Sequence, residues 1–245
     1  MQQNQDLNVY SNHRILPNTS DKNHSSIYSI LYNNGTYPLW LINKFINEDS
    51  NSSEYKFTVS SFINNNKFMK QNITQNVGNT SNIDIEYVDM TLGLQTTSLP
   101  KLVDAKYKHI SSKEGRILIL EQPELLISSL EGMTSISLYN DFINKLQNEK
   151  FQHIIIISNI DYYNHYINSF LQYQYTTFFQ SLQYKSDVIF TVKSLKTGFA
   201  KDISGTLTIT KGGAFDISKH ANDVKIVENE YFFYVVKDNV VKLFY

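Results

Sequence analysis

Two short, unbroken runs of branched aliphatic residues constrain the fold of this chain more than any other feature. They are Ile117-Leu118-Ile119-Leu120 and Ile154-Ile155-Ile156-Ile157. A strand with one face in solvent alternates apolar and polar residues, whereas an unbroken run is typical of a strand covered on both faces. The two runs therefore predict central strands of a parallel sheet that lies between helices.

Weaker strand patterns alternate with helical patterns through the first two-thirds of the chain. Strands are predicted at 27–32, 55–63 and 82–88, and helices at 64–75 and 134–148. Three more helices are predicted, the first capped by Thr36 with Pro38 in its first turn, the second capped by Ser98, and the third built on Leu171, Tyr175, Phe178 and Leu182. This alternation predicts an α/β fold with a doubly wound, mainly parallel sheet.

The last third of the chain changes to β-rich runs with short turns. They lie at 187–195, 205–210, 224–227, 231–236 and 240–244, and we expect antiparallel hairpins that extend the parallel sheet. Residues 1–26 are mostly polar, and we expect an arm that packs Leu7, Val9, Ile15 and Leu16 onto the domain. Residues 27–245 are predicted to form one domain.

Composition excludes several classes of function. The 245 residues include 22 basic and 23 acidic ones and no cysteine. The absence of cysteine excludes disulfides, cysteine-ligated zinc or iron–sulfur sites and thiol catalysis. A net charge of -1 argues against nucleic-acid binding by bulk electrostatics alone, although a local basic patch is compatible with it. No apolar run is long enough for a membrane span, and the six histidines lack the paired spacing of a metal site.

The turn after the first predicted strand has the position of a phosphate-binding loop but not its residues. Phosphate binding needs several glycines, a lysine and a Ser or Thr hydroxyl for magnesium. The segment Asn33-Asn34-Gly35-Thr36-Tyr37-Pro38 has one glycine, no lysine and a proline that removes an N–H donor. It predicts a structural strand–helix turn and a chain without ATPase activity of its own.

Glu121 follows the first of the two apolar runs, where a nucleotidase places a metal-associated carboxylate. It is a candidate general base or magnesium contact. The alternative is that Glu121 anchors a neighbouring loop or caps the helical turn that begins at Pro123. The missing phosphate loop favours this alternative.

Two segments are candidates for contact with nucleic acid. Tyr162, Tyr163, His165 and Tyr166 follow the second apolar run, and aromatic side chains stack on unpaired bases. No Lys or Arg lies between Asp161 and Gln183, so this segment would bind bases rather than phosphate. Lys196 and Lys201 supply positive charge in the following segment, and their alternative interpretation is a pair of solvated residues at hairpin ends.

Several short motifs are distributed from the N-terminal arm to the last residue. They are Gln5-Asp6-Leu7, Pro38-Leu39-Trp40, Glu121-Gln122-Pro123-Glu124-Leu125-Leu126, Leu195-Lys196-Thr197-Gly198-Phe199-Ala200-Lys201-Asp202, Gly212-Gly213-Ala214, Val227-Glu228-Asn229-Glu230-Tyr231 and Lys242-Leu243-Phe244-Tyr245. Together these motifs make the whole chain similar to the sixth-subunit family of the Elongator complex. The resemblance implies a RecA-like domain without the usual nucleotide motifs. It also implies a heterohexameric ring with the fourth and fifth subunits, attached to the rest of the complex.

The resemblance further implies binding of transfer RNA and support of wobble-uridine (U34) modification, with the chemistry on another subunit. It implies loops facing the central channel at about 123–134 and 160–168, the second of which contains the tyrosines named above. We expect no cofactor in this chain. Where the ring uses ATP, we expect the ATP site at an interface between subunits, which Glu121 or Lys201 of this chain would complete. The alternative roles are such an interface ATPase subunit and a purely architectural adaptor. The expected location is the cytoplasm, with the nucleus as an addition and no membrane association.

Overall fold

The computed structural model describes residues 6–17, 25–49, 56–74, 84–91, 104, 105, 107–110, 116–149, 151–161, 169–198, 200–216, 224–236 and 241–245. Within these residues the strands form one sheet, and they are β1 (Ser26–Tyr32), β2 (Lys56–Ser61), β3 (Asp84–Asp89), β4 (Ile117–Glu121), β5 (His153–Asn159), β6 (Val188–Lys193), β7 (Gly205–Lys211), β8 (Asn229–Val235) and β9 (Val241–Phe244). The helices are α1 (Leu39–Asp49), α2 (Asn66–Thr74), α3 (Leu125–Ser129), α4 and α5 (Phe170–Lys185), where α4 joins the contiguous segments Ser135–Ser137, Leu138–Ile143 and Asn144–Gln147.

The sheet has a parallel half that confirms the prediction from the two apolar runs. Its order is β3-β2-β4-β5-β1-β6, and each neighbouring pair is parallel. The runs Ile117–Leu120 and Ile154–Ile157 lie in β4 and β5, which are adjacent strands in the middle of this half. Every residue of both runs is fully buried, because helices cover both faces of these strands.

Antiparallel pairing extends the sheet from β6 through β7 and β8 to β9. This confirms the predicted hairpin region with one exception, since residues 224–227 do not form a strand. Ile226 instead makes an isolated bridge with Tyr10 of the N-terminal arm, and the N–H of Val227 donates to Val9 O at 2.8 Å. The apolar pattern of this segment therefore serves contacts with the arm rather than a hairpin.

The two faces of the sheet carry separate hydrophobic cores. One core contains α1, α2 and the arm residues Leu7, Val9, Ile15 and Leu16, and it extends beneath the sheet as far as β9. The other contains α3, α4 and α5, and from the C-terminal half it includes only Ile189 of β6. No residue of β7, β8 or β9 belongs to this second core.

Two helical features differ from expectation. Thr36 does not cap α1, because the helix begins at Leu39 and the Thr36 hydroxyl donates to the carbonyl oxygens of Asn33 (2.7 Å) and Val192 (3.2 Å). The second feature is a π segment, Leu138–Ile143, within the predicted regular helix α4. Such segments widen the helix by one residue per turn and shift the positions that follow.

Candidate functional site

Three connections meet at one edge of the sheet because the strands that precede them are parallel neighbours. They are residues 33–36 after β1, residues 122–124 after β4 and residues 160–161 after β5. Ligands of open α/β sheets bind at the carboxyl ends of the strands. This edge is therefore the place to examine for a nucleotide site.

Asp161 lies against the turn after β1 and accepts two hydrogen bonds from it. The backbone N–H of Asn34 donates to Oδ2 and the side-chain amide of Asn33 donates to Oδ1, both at 2.7 Å. Hydrogen bonds of this length to a carboxylate are among the stronger ones in proteins. Backbone N–H groups in such a turn are the donors that bind phosphate in nucleotide-binding proteins. Here a carboxylate of the same chain takes that donor.

Asn159, the last residue of β5, links this turn to the buried Glu124. Its side-chain amide donates to Asn34 Oδ1 at 2.7 Å, and its own Oδ1 accepts the Asp161 N–H at 2.9 Å. The Asn159 N–H donates to Glu124 Oε1 at 3.0 Å, and the Ser158 hydroxyl donates to Glu124 Oε2 at 2.9 Å. Consecutive hydrogen bonds thus join all three connections.

Glu121, at the end of β4, is enclosed by polar side chains. The hydroxyls of Tyr37 and Ser61 donate to Oε1 and Oε2 respectively. The side-chain amide of Asn64 lies 3.0 Å from Oε1 and 3.2 Å from Oε2. The residue is 0% exposed, so both carboxylate oxygens are occupied inside the chain.

Burial controls the titration of both glutamates. It raises the pKa of Glu121, and the hydrogen bonds from Ser61, Tyr37 and Asn64 partly offset that rise. Burial also raises the pKa of Glu124 to about 8, against hydrogen bonds that lower it. Glu124 is therefore mostly protonated at neutral pH, which reduces the negative charge at this edge.

Gln122 sets the direction of the chain between the two glutamates. Its φ is 52°, in the left-handed region that few residues other than glycine adopt. Its N–H donates to Ile157 O at 2.7 Å, and its side-chain amide donates to the Tyr32 hydroxyl. These bonds hold a backbone conformation that leaves Glu121 and Glu124 both fully buried.

The described residues at this edge do not fit a nucleoside triphosphate. The turn after β1 has Gly35 as its single glycine, and the N–H of Asn34 is already bonded to Asp161. Glu121 has no exposed oxygen with which to contact magnesium. The arrangement joins loops to each other, and it favours the interpretation of Glu121 as a loop anchor.

The structure separates the candidate residues named from the sequence. Lys196 and Lys201 are exposed on the connection between β6 and β7. Glu121 ends β4, which lies three strand positions from β6, or about 14 Å at ordinary strand spacing. Tyr162, Tyr163, His165 and Tyr166 lie outside the described residues, so their candidacy stays a prediction.

Sequence analysis missed several residues that build this edge, among them Asp161, Glu124, Tyr37 and Asn64. Asp161 and Glu124 carry charge and follow predicted buried strands, which was the available signal. Tyr37 and Asn64 had no such signal, because their partner Glu121 is distant in sequence. Within the described residues no group of His, Asp and Glu could hold a metal ion, and no helix is long and apolar enough to cross a bilayer.

Comparisons with known proteins relate this chain to one curated family and one fold. It is 30% identical to Elongator complex protein 6 of Saccharomyces cerevisiae over 271 aligned positions, which cover 99% of this chain and 98% of the relative. No protein-family model matches the chain.

Among solved structures, the flagellar accessory protein FlaH of Methanocaldococcus jannaschii aligns with a TM-score of 0.58 at 13% identity, over 90% of this chain and 89% of that one. A KaiC-like protein of Pyrococcus horikoshii aligns with a TM-score of 0.55 at 10% identity, over 90% of each chain. The fold is RecA-like.

Proposed function

The chain belongs to the Elongator complex protein 6 family, and from that premise we propose that it is the sixth subunit of an Elongator complex. In this role it is a non-catalytic member of a RecA-like heterohexameric ring formed with the fourth and fifth subunits. The ring binds transfer RNA and supports modification of the wobble uridine, while the chemistry takes place on another subunit. The proposed location is the cytoplasm, with the nucleus as an addition.

One observation carries this proposal, namely similarity along nearly the whole of both proteins. The alignment covers 99% of this chain and 98% of the yeast relative at 30% identity. Similarity over such a span relates the two sequences along their length, rather than through one motif shared by unrelated proteins. A role in the same complex is the simplest function consistent with it.

The contacts at the carboxyl edge of the sheet support the non-catalytic part of the proposal. Asp161 takes the backbone donor that a phosphate would need, and Glu121 is closed off by Tyr37, Ser61 and Asn64. We expect the purified chain to hydrolyse no ATP above the buffer rate. Turnover that Glu121→Gln abolishes would contradict this expectation.

The assembled ring requires its own ATP measurement, because Lys201 is exposed and could reach a neighbouring subunit. If ring ATPase activity is unchanged in both Lys201→Ala and Glu121→Gln rings, neither residue supplies a catalytic group, as the proposal expects. Loss of activity in the Lys201→Ala ring alone would favour the interface ATPase over the non-catalytic role.

RNA binding is tested by separating stacking from charge. Replacing Tyr162, Tyr163 and Tyr166 together by Ala should weaken transfer RNA binding by the intact ring by ~1–3 kcal/mol. The salt dependence should stay unchanged, because no phosphate contact is lost. Lys196→Ala with Lys201→Ala should instead lower the salt slope. Unchanged affinity in both rings would favour the purely architectural adaptor.

The role in modification is tested in the source cells. Depletion of this protein should reduce modified wobble uridine in bulk transfer RNA, measured by nucleoside mass spectrometry. Re-expression of the unmodified chain should restore it. An unchanged nucleoside profile after depletion would contradict the proposal.

A further inference from the structure

One asparagine of the chain is followed by glycine. It is Asn34, in the turn after β1, and no other Asn-Gly or Asp-Gly pair occurs in the 245 residues. Asparagine is a chemically labile residue, and a glycine after it leaves the next backbone nitrogen without a side chain to shield it. Both residues of the pair are exposed. Apart from its chain neighbours, a Cβ added to Gly35 would meet no atom of the described residues within 4 Å, so the turn is open to water on this side.

The peptide group between Asn34 and Gly35 is held less firmly than the groups around it. The Thr36 N–H donates to Asn33 O at 3.1 Å, and the Asn34 N–H donates to Asp161 Oδ2 at 2.7 Å. Within the described residues, neither the Asn34 carbonyl oxygen nor the Gly35 N–H takes part in a hydrogen bond. Gly35 has a φ of 83°, and glycine adopts either sign of φ without a steric penalty. This peptide group can therefore rotate without breaking the bonds that hold the turn.

The side-chain carbonyl of Asn34 is polarised by a neighbour. The side-chain amide of Asn159 donates to Asn34 Oδ1 at 2.7 Å. A donor in this position stabilises the negative charge that develops on a carbonyl oxygen when a nucleophile attacks its carbon. Rotation of the peptide group is the movement that brings the Gly35 nitrogen towards this carbon. The turn thus provides a nitrogen without a hydrogen-bond partner beside an activated carbonyl group.

We propose that Asn34 is a site of spontaneous deamidation in the folded chain, and that the isoaspartyl product loosens the contact between this turn and Asp161. The Gly35 nitrogen forms a bond to Asn34 Cγ, and the bond from Cγ to Nδ2 breaks. The amide nitrogen leaves as ammonia with the proton of the Gly35 nitrogen, and a succinimide remains. Water then opens the ring. Cleavage at Cγ gives aspartate, and cleavage at the backbone carbonyl carbon gives isoaspartate.

Both products change the environment of Asp161. Each has a carboxylate in place of the neutral amide, on the residue whose N–H is bonded to Asp161 Oδ2. Carboxylates that lie close together repel each other. Isoaspartate also routes the main chain through the former side chain, which adds a methylene group to the backbone of a closed turn. The isoaspartyl form leaves a free α-carboxylate, and we expect enzymes of the isoaspartyl carboxyl methyltransferase class to act on it.

The test follows the purified full-length chain during incubation at pH 8. Peptide mass spectrometry should show a mass gain of about 1 Da at Asn34, and methyl transfer by an isoaspartyl methyltransferase should report isoaspartate. Asn33 is a matched internal control, because it lies in the same turn but precedes a residue with a side chain. Asn34 should convert at least ~10-fold faster than Asn33, and its rate in the folded chain should lie within ~10-fold of its rate in urea.

Two variants assign the reaction to this pair of residues. Asn34→Gln keeps a side-chain amide but needs a larger ring for the same attack, so the modified peptide should be lost. Gly35→Ala places a Cβ beside the attacking nitrogen and should slow the conversion of Asn34. Alanine is strained at a φ of 83°, so circular dichroism checks that this variant folds.

The outcomes decide both parts of the inference. Faster conversion at Asn34 than at Asn33, with a lower urea midpoint for the isoaspartyl form isolated by ion exchange, supports it. Conversion no faster than at Asn33, or more than ~10-fold slower in the folded chain than in urea, would overturn the site. An unchanged midpoint for the isoaspartyl form would overturn the loosening of the turn. These measurements use the chain alone, so the inference does not rest on the proposed function.

Discussion

The carboxyl edge of the sheet and helix α5 use their side chains in opposite ways. At the edge, the side-chain carboxyl groups of Glu121, Glu124 and Asp161 accept hydrogen bonds from other parts of the same chain. On α5, Phe170 and Tyr184 are about 70% exposed although they are apolar. Polar groups that a nucleotidase would direct at its ligand are thus structural here, and apolar groups that usually stabilise a core are at the surface.

This difference shows why position in the fold is a poor guide to function in this chain. The edge of the sheet is the usual ligand site of its fold class, but its hydrogen-bonding groups are already paired. Exposed apolar surface is a better guide, because burying it against another molecule is favourable. We therefore expect substitutions at the edge to lower stability more than substitutions of the exposed residues of α5.

The largest expected loss of stability comes from removing the buried carboxyl group that joins two loops. Glu124→Ala leaves the Asn159 N–H and the Ser158 hydroxyl without their acceptor and creates a cavity. The free energy of unfolding should fall by about 3–5 kcal/mol, measured by urea denaturation at pH 6.

Glu124→Gln is the matched control, because its amide oxygen still accepts a hydrogen bond in nearly the same volume. Its loss of stability at pH 6 should be much smaller than that of Glu124→Ala. Equal losses in the two variants would mean that the hydrogen bonds to Glu124 contribute little.

The pH dependence of stability provides the second test of the edge. The pKa of Glu124 is about 8 in the folded chain, above its ordinary value of 4.5. A raised carboxyl pKa means that the folded state binds more protons, so stability falls as pH rises from 4.5 towards 8. The slope should be up to ~1.4 kcal/mol per pH unit in this window.

Glu124→Gln should reduce that slope, because it has no ionising group at this position. A slope of the same sign should remain, since the pKa of Glu121 is also raised. Denaturation midpoints of both proteins at pH 5, 6, 7 and 8 make the comparison. Parallel pH profiles would show that Glu124 does not titrate in this range.

Local patterns in the sequence predicted the central sheet and its helices, but they did not predict the hydrogen bonds that join the loops at the carboxyl edge of the sheet. The unbroken runs of β4 and β5 report burial on both faces directly, and helical spacing in α5 reports its buried side. The bonds of Asp161 to Asn33 and Asn34 join residues 128 and 127 positions apart, and no local pattern contains that pairing. The prediction of a strand at residues 224–227 was wrong for the same reason, since their partner lies in the N-terminal arm.

A smaller effect is expected at Asp161, which is only partly buried. Asp161→Ala removes the acceptor of the Asn34 N–H and of the Asn33 amide, and stability should fall by about 1–3 kcal/mol. Asp161→Asn keeps one acceptor oxygen and should lose about half as much. If the turn then gained affinity for inorganic phosphate, measured by calorimetry, the carboxylate would be identified as a substitute for an anion.

The smallest effect on stability is expected at the exposed aromatic residues of α5. Phe170, Tyr173 and Tyr184 are each more than 60% exposed, so replacing them with Ser removes few intramolecular contacts. Each substitution should change the free energy of unfolding of the isolated chain by less than about 0.5 kcal/mol. The triple variant should also be more soluble, because exposed apolar side chains promote self-association. A loss of several kcal/mol would instead show that these side chains pack within the subunit. In that case the difference between the carboxyl edge and α5 would no longer hold, because the side chains of both regions would contribute to the stability of the subunit.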